Sequence, residues 1–187
     1  MTFHIYDSFS REKKKFEPIN SDDIRIYACG PTVYSYAHIG NARMSVVTDL
    51  LVRVLKTIYE NVKFVSNITD IDDKIIEASR VSGKKIQDIT EKFYKIYNDD
   101  MKNIGVKKPD VQPKATDHIK EMIEMIKSLV RKEFAYVVDK HVLFNVKKYK
   151  HYGKLSRRTK EEQIAGSRVE VASYKKNPED FILWKPS

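Results

Sequence analysis

The sequence is poor in cysteine, glycine and proline, and it has no long apolar run. Cys29 is the only cysteine among 187 residues, so no disulfide can form within the chain, and a lone thiol suits a reducing compartment such as the cytoplasm. Six Gly and six Pro exclude a collagen-like or low-complexity chain. No stretch approaches the roughly 18 apolar residues of a membrane span, and no apolar signal segment opens the chain. We therefore expect a cytoplasmic globular protein without a membrane partner.

Positive charge is in excess, and most of the excess lies in the second half of the chain. The formal net charge is +9, of which residues 106–187 carry +8 and residues 1–105 only +1. The second half contains a basic cluster interleaved with Tyr149, His151 and Tyr152: Lys147, Lys148, Lys150, Lys154, Arg157, Arg158 and Lys160. Cations mixed with aromatic rings suit binding to nucleic acid, and a solvated lysine-rich loop fits the composition equally well.

The first half predicts alternating strands and helices. Residues 24–29 alternate apolar and polar side chains, which predicts a strand. Residues 39–58 repeat apolar side chains every three and four positions, which predicts a helix, and residues 62–68 predict a second, buried strand. A strand, helix and strand in this order give a parallel sheet, and such sheets bind ligands beyond the carboxyl ends of their strands. Cys29 and residues 67–70 fall at those ends.

The remainder of the chain predicts further elements. We expect a helix over residues 86–104, a linker over 106–114 and a second helix over 119–130. A hairpin that turns at Asp139 and Lys140 follows over 136–146, and a short helix with a capping box over 159–162. The basic run 11–15 predicts a solvated turn, and Trp184 predicts a core position.

Three carboxylates, Asp70, Asp72 and Asp73, follow the second predicted strand. Oxygen ligands of this kind suit Mg²⁺. Capping of the next helix is the alternative that we favour, because the helix dipole stabilises anions in the first turn.

A histidine and a glycine mark the entry to the first predicted helix. A helix N-terminus at this place offers backbone N–H groups and a positive dipole end to a phosphate. Gly40 allows a nucleotide to approach the backbone, and His38 can donate a hydrogen bond to oxygens that gain charge during phosphoryl transfer. A simple capping or surface role for His38 is the competing interpretation.

Five stretches of the sequence form a specific signature: YACGPTVY at 27–34, HIGN at 38–41, NITDIDDKII at 67–76, YGKLSR at 152–157 and NPEDFILWK at 177–185. Together they resemble the N-terminal part of cysteinyl-tRNA synthetases, a family of class I aminoacyl-tRNA synthetases, and the resemblance covers essentially the whole chain. It implies an α/β fold. Residues 1–108 would form the first half of a Rossmann-like parallel-sheet domain, and residues 109–187 a smaller α+β connective insertion.

The resemblance also implies roles for single residues. Cys29 matches the first ligand of a zinc ion that binds the substrate thiolate, and zinc prefers this soft sulfur to the hydroxyl of serine. Gly30 and Thr69, with Cys29, match positions that contact the substrate cysteine. The family's ATP-binding signature is matched by His38, Ile39, Gly40 and Asn41. The resemblance implies that His38 and Asn41 are also catalytic. Asn41 stands where the family commonly has a second histidine.

The function that the resemblance implies is that of a cysteine–tRNA ligase. Such an enzyme activates L-cysteine with Mg-ATP to cysteinyl adenylate and transfers the cysteinyl group to tRNA(Cys), and we expect a monomer. The other zinc ligands and the KMSKS signature are not in this sequence, so we expect an N-terminal portion that is incomplete for catalysis and holds little zinc. Two alternatives stay open: a ligase of the same ancestry that joins cysteine to an amino sugar, and a non-catalytic RNA-binding half-domain.

Overall fold

The computed structural model describes residues 3–157 and 173–186, which contain both strands and helices. The strands are β1 (His4–Asp7), β2 (Glu12–Lys15), β3 (Ile24–Ala28), β4 (Val62–Ser66), β5 (Ala135–Val138), β6 (His141–Phe144) and β7 (Phe181–Trp184). The helices are α1 (Ile39–Lys56), α2 (Asp73–Ser82), α3 (Ile86–Asn103) and α4 (Ile119–Arg131). The short helix predicted at 159–162 lies outside the described residues.

The chain divides into two compact units. The first unit comprises residues 17–119, and the second comprises residues 3–16 together with the described residues from 120 onwards. The domain division at residues 108 and 109 stays a prediction. In the described part of the chain, no helix is both long and apolar enough to cross a membrane.

A parallel pair of strands forms the centre of the first unit. β3 and β4 pair in register from Ile24 opposite Val62 to Ala28 opposite Ser66, and α1 connects them. This confirms the predicted α/β class and parallel sheet. The core is apolar and includes Ile24, Val52, Leu55, Phe64, Ile68 and Ile75. Burying an aliphatic side chain of this size contributes about 1.5–3 kcal/mol.

The prediction of a linker over residues 106–114 is wrong for its second half. Val111 forms a parallel bridge with Val65 of β4, and Lys114 forms a parallel bridge with Ile68, two residues beyond the end of β4. The Val111 N–H donates to the Phe64 carbonyl at 3.2 Å, and the Ile68 N–H donates to the Pro113 carbonyl at 2.8 Å. Prolines favour the edge of a sheet because they cannot donate to the ladder, so the proline-rich composition that suggested a linker also fits an edge segment.

The second unit contains two antiparallel sheets and most of α4. β5 and β6 form the predicted hairpin, and β7 pairs with β6. Asp139 and Lys140 have φ angles of 47° and 62°, as a two-residue hairpin turn requires. β1 pairs with β2, so the turn predicted for residues 11–15 is wrong, because residues 12–15 are strand. Their predicted exposure to solvent is confirmed. Trp184 is 37% exposed, which corrects its predicted place in the core.

A buried carboxylate holds the second unit together. Asp180 is 1% exposed, and it accepts hydrogen bonds from the Tyr136 hydroxyl at 2.8 Å and from the Val146 N–H at 3.0 Å. The backbone N–H and the side-chain amide of Asn177 also donate to it, each at 3.1 Å. A buried charge is tolerated when it is satisfied in this way, so Asp180 ties the residues before β7 to β5 and to the end of β6.

Candidate active site

Parallel pairing continues beyond the carboxyl ends of β3 and β4. Thr32 bridges to Thr69. The Val33 N–H donates to the Thr69 carbonyl at 3.1 Å, and the Thr69 N–H donates to the Pro31 carbonyl at 3.0 Å. The segments that carry the predicted residues Cys29, Gly30 and Thr69 are therefore joined at one edge of the sheet.

Asn67 links these segments through its side chain. Its Oδ1 accepts from the Tyr27 hydroxyl at 2.8 Å and from the Gly30 N–H at 3.0 Å. Its Nδ2 donates to the Thr69 Oγ1 at 3.1 Å. One amide thus holds Gly30 and Thr69, two of the three residues that were predicted to contact the substrate cysteine. Asn67 opens the NITDIDDKII run, but neither its residue type nor the family resemblance predicted a role for it.

Gly30 lies against the backbone of the neighbouring segment. A β-carbon at this position would come within 1.6 Å of the Asn67 carbonyl oxygen, which no side chain can do without displacing the backbone. The adjacent Cys29 is exposed and unpaired within the described residues. The strand end therefore presents a thiol to solvent.

His38 and Asn41 cap the N-terminus of α1 reciprocally. The Gly40 N–H donates to the His38 Nδ1 at 3.0 Å, and the His38 N–H donates to the Asn41 Oδ1 at 3.1 Å. Because Nδ1 accepts a hydrogen bond, the proton of the neutral ring is on Nε2. The Gly40 Cα lies against this ring, since an added β-carbon would be 2.7 Å from its Cε1.

The capping arrangement corrects one expectation about the helix N-terminus. We expected free backbone N–H groups for a phosphate at this point. The Gly40 N–H instead donates to the His38 ring, and the N–H groups of Asn41 and Ala42 donate to the His38 carbonyl at 2.9 and 3.2 Å. A ligand at this site must therefore depend more on side chains than on these three donors.

A small cavity of about 160 Å³ adjoins His38 and Asn41. Its lining includes Lys74 and the ring of Tyr34, and the Lys74 ammonium lies 5.2 Å from the centre of that ring. Phe93 also lines it and packs edge-on against Tyr36, with ring centres 5.3 Å apart. A cation and aromatic rings suit a nucleotide. Lys74 lies in the NITDIDDKII run, but the sequence showed no sign that α3 contributes Phe93.

The three carboxylates after β4 have separate structural roles. Asp72 caps α2, because its Oδ1 accepts from the Lys74 N–H at 2.9 Å, and Asp73 lies in the first turn of the helix. Asp70 is buried and accepts from the backbone N–H and the hydroxyl of Thr116, at 3.0 and 2.5 Å. Capping is thus confirmed for Asp72, and Asp70 anchors another segment. No group of three His, Cys, Asp or Glu side chains in residues 3–157 and 173–186 is arranged to hold a metal ion.

These features define the class of the protein: an α/β domain with a parallel sheet, in which the predicted site residues lie beyond the carboxyl ends of the strands. A family model described as "tRNA synthetases class I (C) catalytic domain" matches residues 15–187. The chain belongs to this family.

Curated relatives match along almost the whole chain. A cysteine–tRNA ligase of Maricaulis maris is 54% identical over 185 residues, which is 98% of this chain and 40% of the relative. The cysteine–tRNA ligase of Parvibaculum lavamentivorans is 51% identical over 98% of this chain and 39% of its own length. The cysteine–tRNA ligase of Rhodospirillum rubrum is 50% identical over 100% of this chain and 41% of its own length. The chain thus spans about two fifths of the length of these relatives.

Proposed function

We propose that this chain is a catalytic-domain portion of a cysteine–tRNA ligase. In the proposed reaction, the carboxylate of L-cysteine attacks the α-phosphorus of Mg-ATP, which gives cysteinyl adenylate and releases pyrophosphate. A hydroxyl of the terminal ribose of tRNA(Cys) then attacks the acyl carbon and releases AMP. The observation that carries the proposal is the joining of Gly30 and Thr69 by Asn67, beside the His38-capped helix, in a chain about half identical to cysteine–tRNA ligases.

We assign the phosphates of ATP to the cavity beside residues His38, Ile39, Gly40 and Asn41. The His38 Nδ1 is occupied by the Gly40 N–H, so the Nε2–H is the donor that remains for the phosphate oxygens. A fixed donor of this kind stabilises negative charge as it develops in the transition state. Lys74 supplies a positive charge in the same cavity.

We assign the substrate cysteine to the strand ends, where Gly30, Thr69 and the exposed Cys29 lie. Gly30 permits close approach because it has no side chain, and Asn67 fixes the Thr69 hydroxyl. Zinc is the metal that the family resemblance implies. A zinc site takes three or four protein ligands, and the described residues contain no group of three His, Cys, Asp or Glu side chains that could hold a metal ion. These residues alone do not fit a zinc ion, so we derive no step through it, and Cys29 as one ligand stays a prediction.

We assign tRNA to the basic part of the second unit. Tyr149 and Tyr152 are 45% and 41% exposed and pack near Phe144, with ring centres 6.3 and 6.2 Å from it. Exposed lysines and one arginine lie close to these rings in sequence, within the described residues 147–157. Rings and cations on one surface suit a polynucleotide. Arg158 and Lys160 of the predicted cluster lie outside the described residues. For the complete enzyme we also propose a cytoplasmic location and a monomer.

The test separates the capping role of His38 from catalysis. In a polypeptide of the relatives' full length, His38→Asn keeps a good helix cap and removes the Nε2–H. We expect cysteine-dependent exchange of pyrophosphate into ATP to fall about 10²- to 10³-fold, the usual cost of losing a donor that stabilises transition-state charge. His118→Asn is the matched control, because His118 is exposed. Equal rates in both variants would leave His38 with a structural role only.

The acceptor distinguishes the alternatives. A cysteine–tRNA ligase transfers radiolabelled cysteine to tRNA(Cys), whereas the amino-sugar ligase transfers it to the sugar amine. An RNA-binding half-domain would bind tRNA and give no pyrophosphate exchange in any length of polypeptide.

A further inference from the structure

The outer face of α1 carries four large apolar side chains that the first unit does not cover. Ile39, Val46, Val47 and Leu50 are between 44% and 85% exposed. The last three follow Ile39 by seven, eight and eleven positions, so all four lie on one face of the helix, along a length of roughly 16 Å. We call these four residues the α1 stripe. Single exposed apolar residues are normal on a protein surface, whereas a continuous row of them marks an interaction surface.

The opposite face of α1 is already buried within the first unit. Ser45, Asp49, Val52 and Leu55 are its buried residues, and the Ser45 Oγ lies 2.8 Å from the hydroxyl of Tyr97 in α3. A surface helix of a globular protein carries polar side chains opposite its buried face. Because α1 is apolar on both faces, its sequence specifies a second contact surface.

The parallel sheet of the first unit has an open edge. In the described residues, β3 pairs with β4 on one side only. The Ile24 N–H donates to the Asn61 carbonyl beside β4, so the backbone groups of Arg25 and Tyr27, which alternate with it, point to the other side. Sheets commonly have about four to six strands, and parallel sheets are covered on both faces. The open edge is thus a second sign, independent of the α1 stripe, that another body completes this unit.

The charge beside the α1 stripe favours a protein surface over nucleic acid. Arg43 follows Ile39 by four positions on the same face and is exposed. Arg53 is already paired, because it contacts the Asp49 carboxylate at 2.7 Å and donates to the Gly105 carbonyl at 2.6 Å. Binding to nucleic acid needs several cations that contact phosphates. An apolar surface with an acidic side chain opposite Arg43 complements the stripe better.

The length of the relatives indicates which protein surface this is. The matched part covers 40%, 39% and 41% of three cysteine–tRNA ligases, so about three fifths of each polypeptide lies outside it. A segment of the same polypeptide is held close to the first unit by the chain itself, so it covers an apolar surface without the entropy cost that a separate partner pays.

We propose that the α1 stripe is the surface on which the remaining part of a longer polypeptide packs, through an apolar segment with an acidic side chain opposite Arg43. This inference rests on the proposed function, which takes the chain as a portion of a longer ligase. Since α1 begins beside the His38 cap, the contact also holds the candidate active site against the rest of the enzyme.

The first measurement is hydroxyl-radical oxidation of side chains, read by mass spectrometry, in the 187-residue chain and in a polypeptide of the relatives' full length. We expect Val46, Val47 and Leu50 to be oxidised at least fivefold more slowly in the longer polypeptide, because the α1 stripe is then covered. Val81 is the reference, because it lies on α2, outside the stripe, and is 74% exposed. Its rate should be the same in both.

A pair of variants tests whether the contact stabilises α1. Leu50→Lys places a charge in the stripe, and Val81→Lys is the matched control with the same change in charge. In the 187-residue chain, both variants should keep the wild-type amide protection of α1, because both positions are exposed. In the longer polypeptide, Leu50→Lys should lower this protection at least tenfold, whereas Val81→Lys should leave it unchanged.

Equal oxidation of the stripe in both polypeptides overturns the proposal, and so do equal effects of the two variants in the longer one. Protection that appears in the 187-residue chain as it dimerises would identify a second copy as the occupant, and protection that requires tRNA(Cys) would identify RNA; either result overturns the proposal. These readouts need no ligase activity. A covered stripe without pyrophosphate exchange therefore contradicts only the proposed function, and exchange with an exposed stripe contradicts only this inference.

Discussion

At the scale of single residues, two glycines of the candidate site differ in what an added methyl group would meet. At Gly30 it would meet the Asn67 carbonyl oxygen at 1.6 Å, and at Gly40 it would meet the His38 ring, 2.7 Å from Cε1. Backbone must shift in the first case, whereas a flexible ring can rotate away in the second. We expect Gly30→Ala to cost about 1–3 kcal/mol or more, and Gly40→Ala about 1 kcal/mol through loss of the helix cap.

Amide hydrogen exchange in β3, β4 and α1 measures both costs. Fluorescence of Trp184, the only tryptophan, reports the second unit and serves as an internal control that should not change. A larger loss of protection in Gly40→Ala than in Gly30→Ala would contradict the argument.

Tyr136 gives the second unit a dependence on alkaline pH. Burial raises the pKa of its phenol above the ordinary value of 10.0; the Lys176 N–H opposes this shift, and the bond to Asp180 adds to it. Since the folded-state pKa is raised, the stabilisation is complete below pH 10 and is lost as the pH rises through the raised pKa. We expect the free energy of unfolding, measured by urea and Trp184 fluorescence, to fall more steeply above pH 10 in the wild type than in Tyr136→Phe.

Tyr6→Phe is the control for this experiment, because Tyr6 belongs to the same unit and is 61% exposed. It should keep the wild-type slope. At neutral pH, Tyr136→Phe should itself cost about 1.5–3 kcal/mol, because the buried Asp180 carboxylate loses a donor. Identical slopes in wild type and Tyr136→Phe would show that another group causes the pH dependence.

At the scale of elements, the contact between Asp70 and Thr116 fixes the segment that follows the edge of the parallel sheet. Thr116→Val keeps the shape of the side chain and removes a hydroxyl that donates to the buried carboxylate at 2.5 Å. Hydrogen bonds to charged groups contribute about 1.5–3 kcal/mol. We expect protection from exchange to fall by that amount at the amides of Ile68 and Ala115, which donate between these segments.

Thr57→Val is the matched control for Thr116→Val. The Thr57 hydroxyl donates to the Val54 carbonyl within the end of α1, so its loss should leave the amides of Ile68 and Ala115 unchanged. Equal losses of amide protection in the two variants would mean that the contact between Asp70 and Thr116 does not stabilise this segment.

The elements that the sequence predicts well are those with a strong local pattern. The apolar repeats of α1, α3 and α4 and the alternation in β3 depend on nearby residues, so their positions follow from the sequence. The hairpin of β1 and β2 could not be found in this way, because Lys13 and Lys14 are exposed charges in a strand. The pairing of Val111 with Val65 is likewise a contact between distant segments.

For the candidate site, the sequence motifs predicted where the site residues lie better than they predicted which contacts these residues make. The sequence placed Cys29, Gly30 and Thr69 at neighbouring strand ends because parallel strands finish at one edge. It could not show that His38 accepts from the Gly40 N–H, because that bond depends on the rotamer of the ring. The contribution of Phe93 depends on how α3 packs in the fold, which no local pattern of this sequence specifies.

At the scale of the whole molecule, the small number of zinc ligands predicts that zinc binding depends on parts of the polypeptide outside these 187 residues. The described residues arrange no three donors around Cys29, and a single thiolate binds zinc weakly compared with a full set. We expect the 187-residue chain to retain far less than one zinc per molecule after dialysis, and a polypeptide of the relatives' full length to retain about one.

Cys29→Ser in the longer polypeptide should lower its zinc content, because a hydroxyl is a poor donor beside thiolates. Elemental analysis measures both outcomes. Stoichiometric zinc in the 187-residue chain that persists in Cys29→Ser would show that Cys29 is not a ligand.

The uneven distribution of charge along the chain predicts that the proposed RNA partner binds the basic cluster of the second half. Lys148 pairs with Glu133 at 3.0 Å, and Lys154 lies 5.3 Å from the ring centre of Phe9. The other described cations of the cluster are Lys147, Lys150 and Arg157. If these three contact phosphates, replacing all of them by Glu should lower the dependence of log K on log salt by roughly 2–3, at about 0.7–0.9 per contact.

Fluorescence anisotropy with labelled tRNA(Cys), titrated over a series of KCl concentrations, measures this slope. The matched control replaces Lys84, Lys85 and Lys95 by Glu, because these lysines belong to the first unit, are exposed, and give the same change in net charge. A general loss of positive charge would weaken binding equally in both triple variants. Only a local contact surface lowers the slope in the first variant and leaves it unchanged in the control, whereas equal slopes would support a solvated lysine-rich loop.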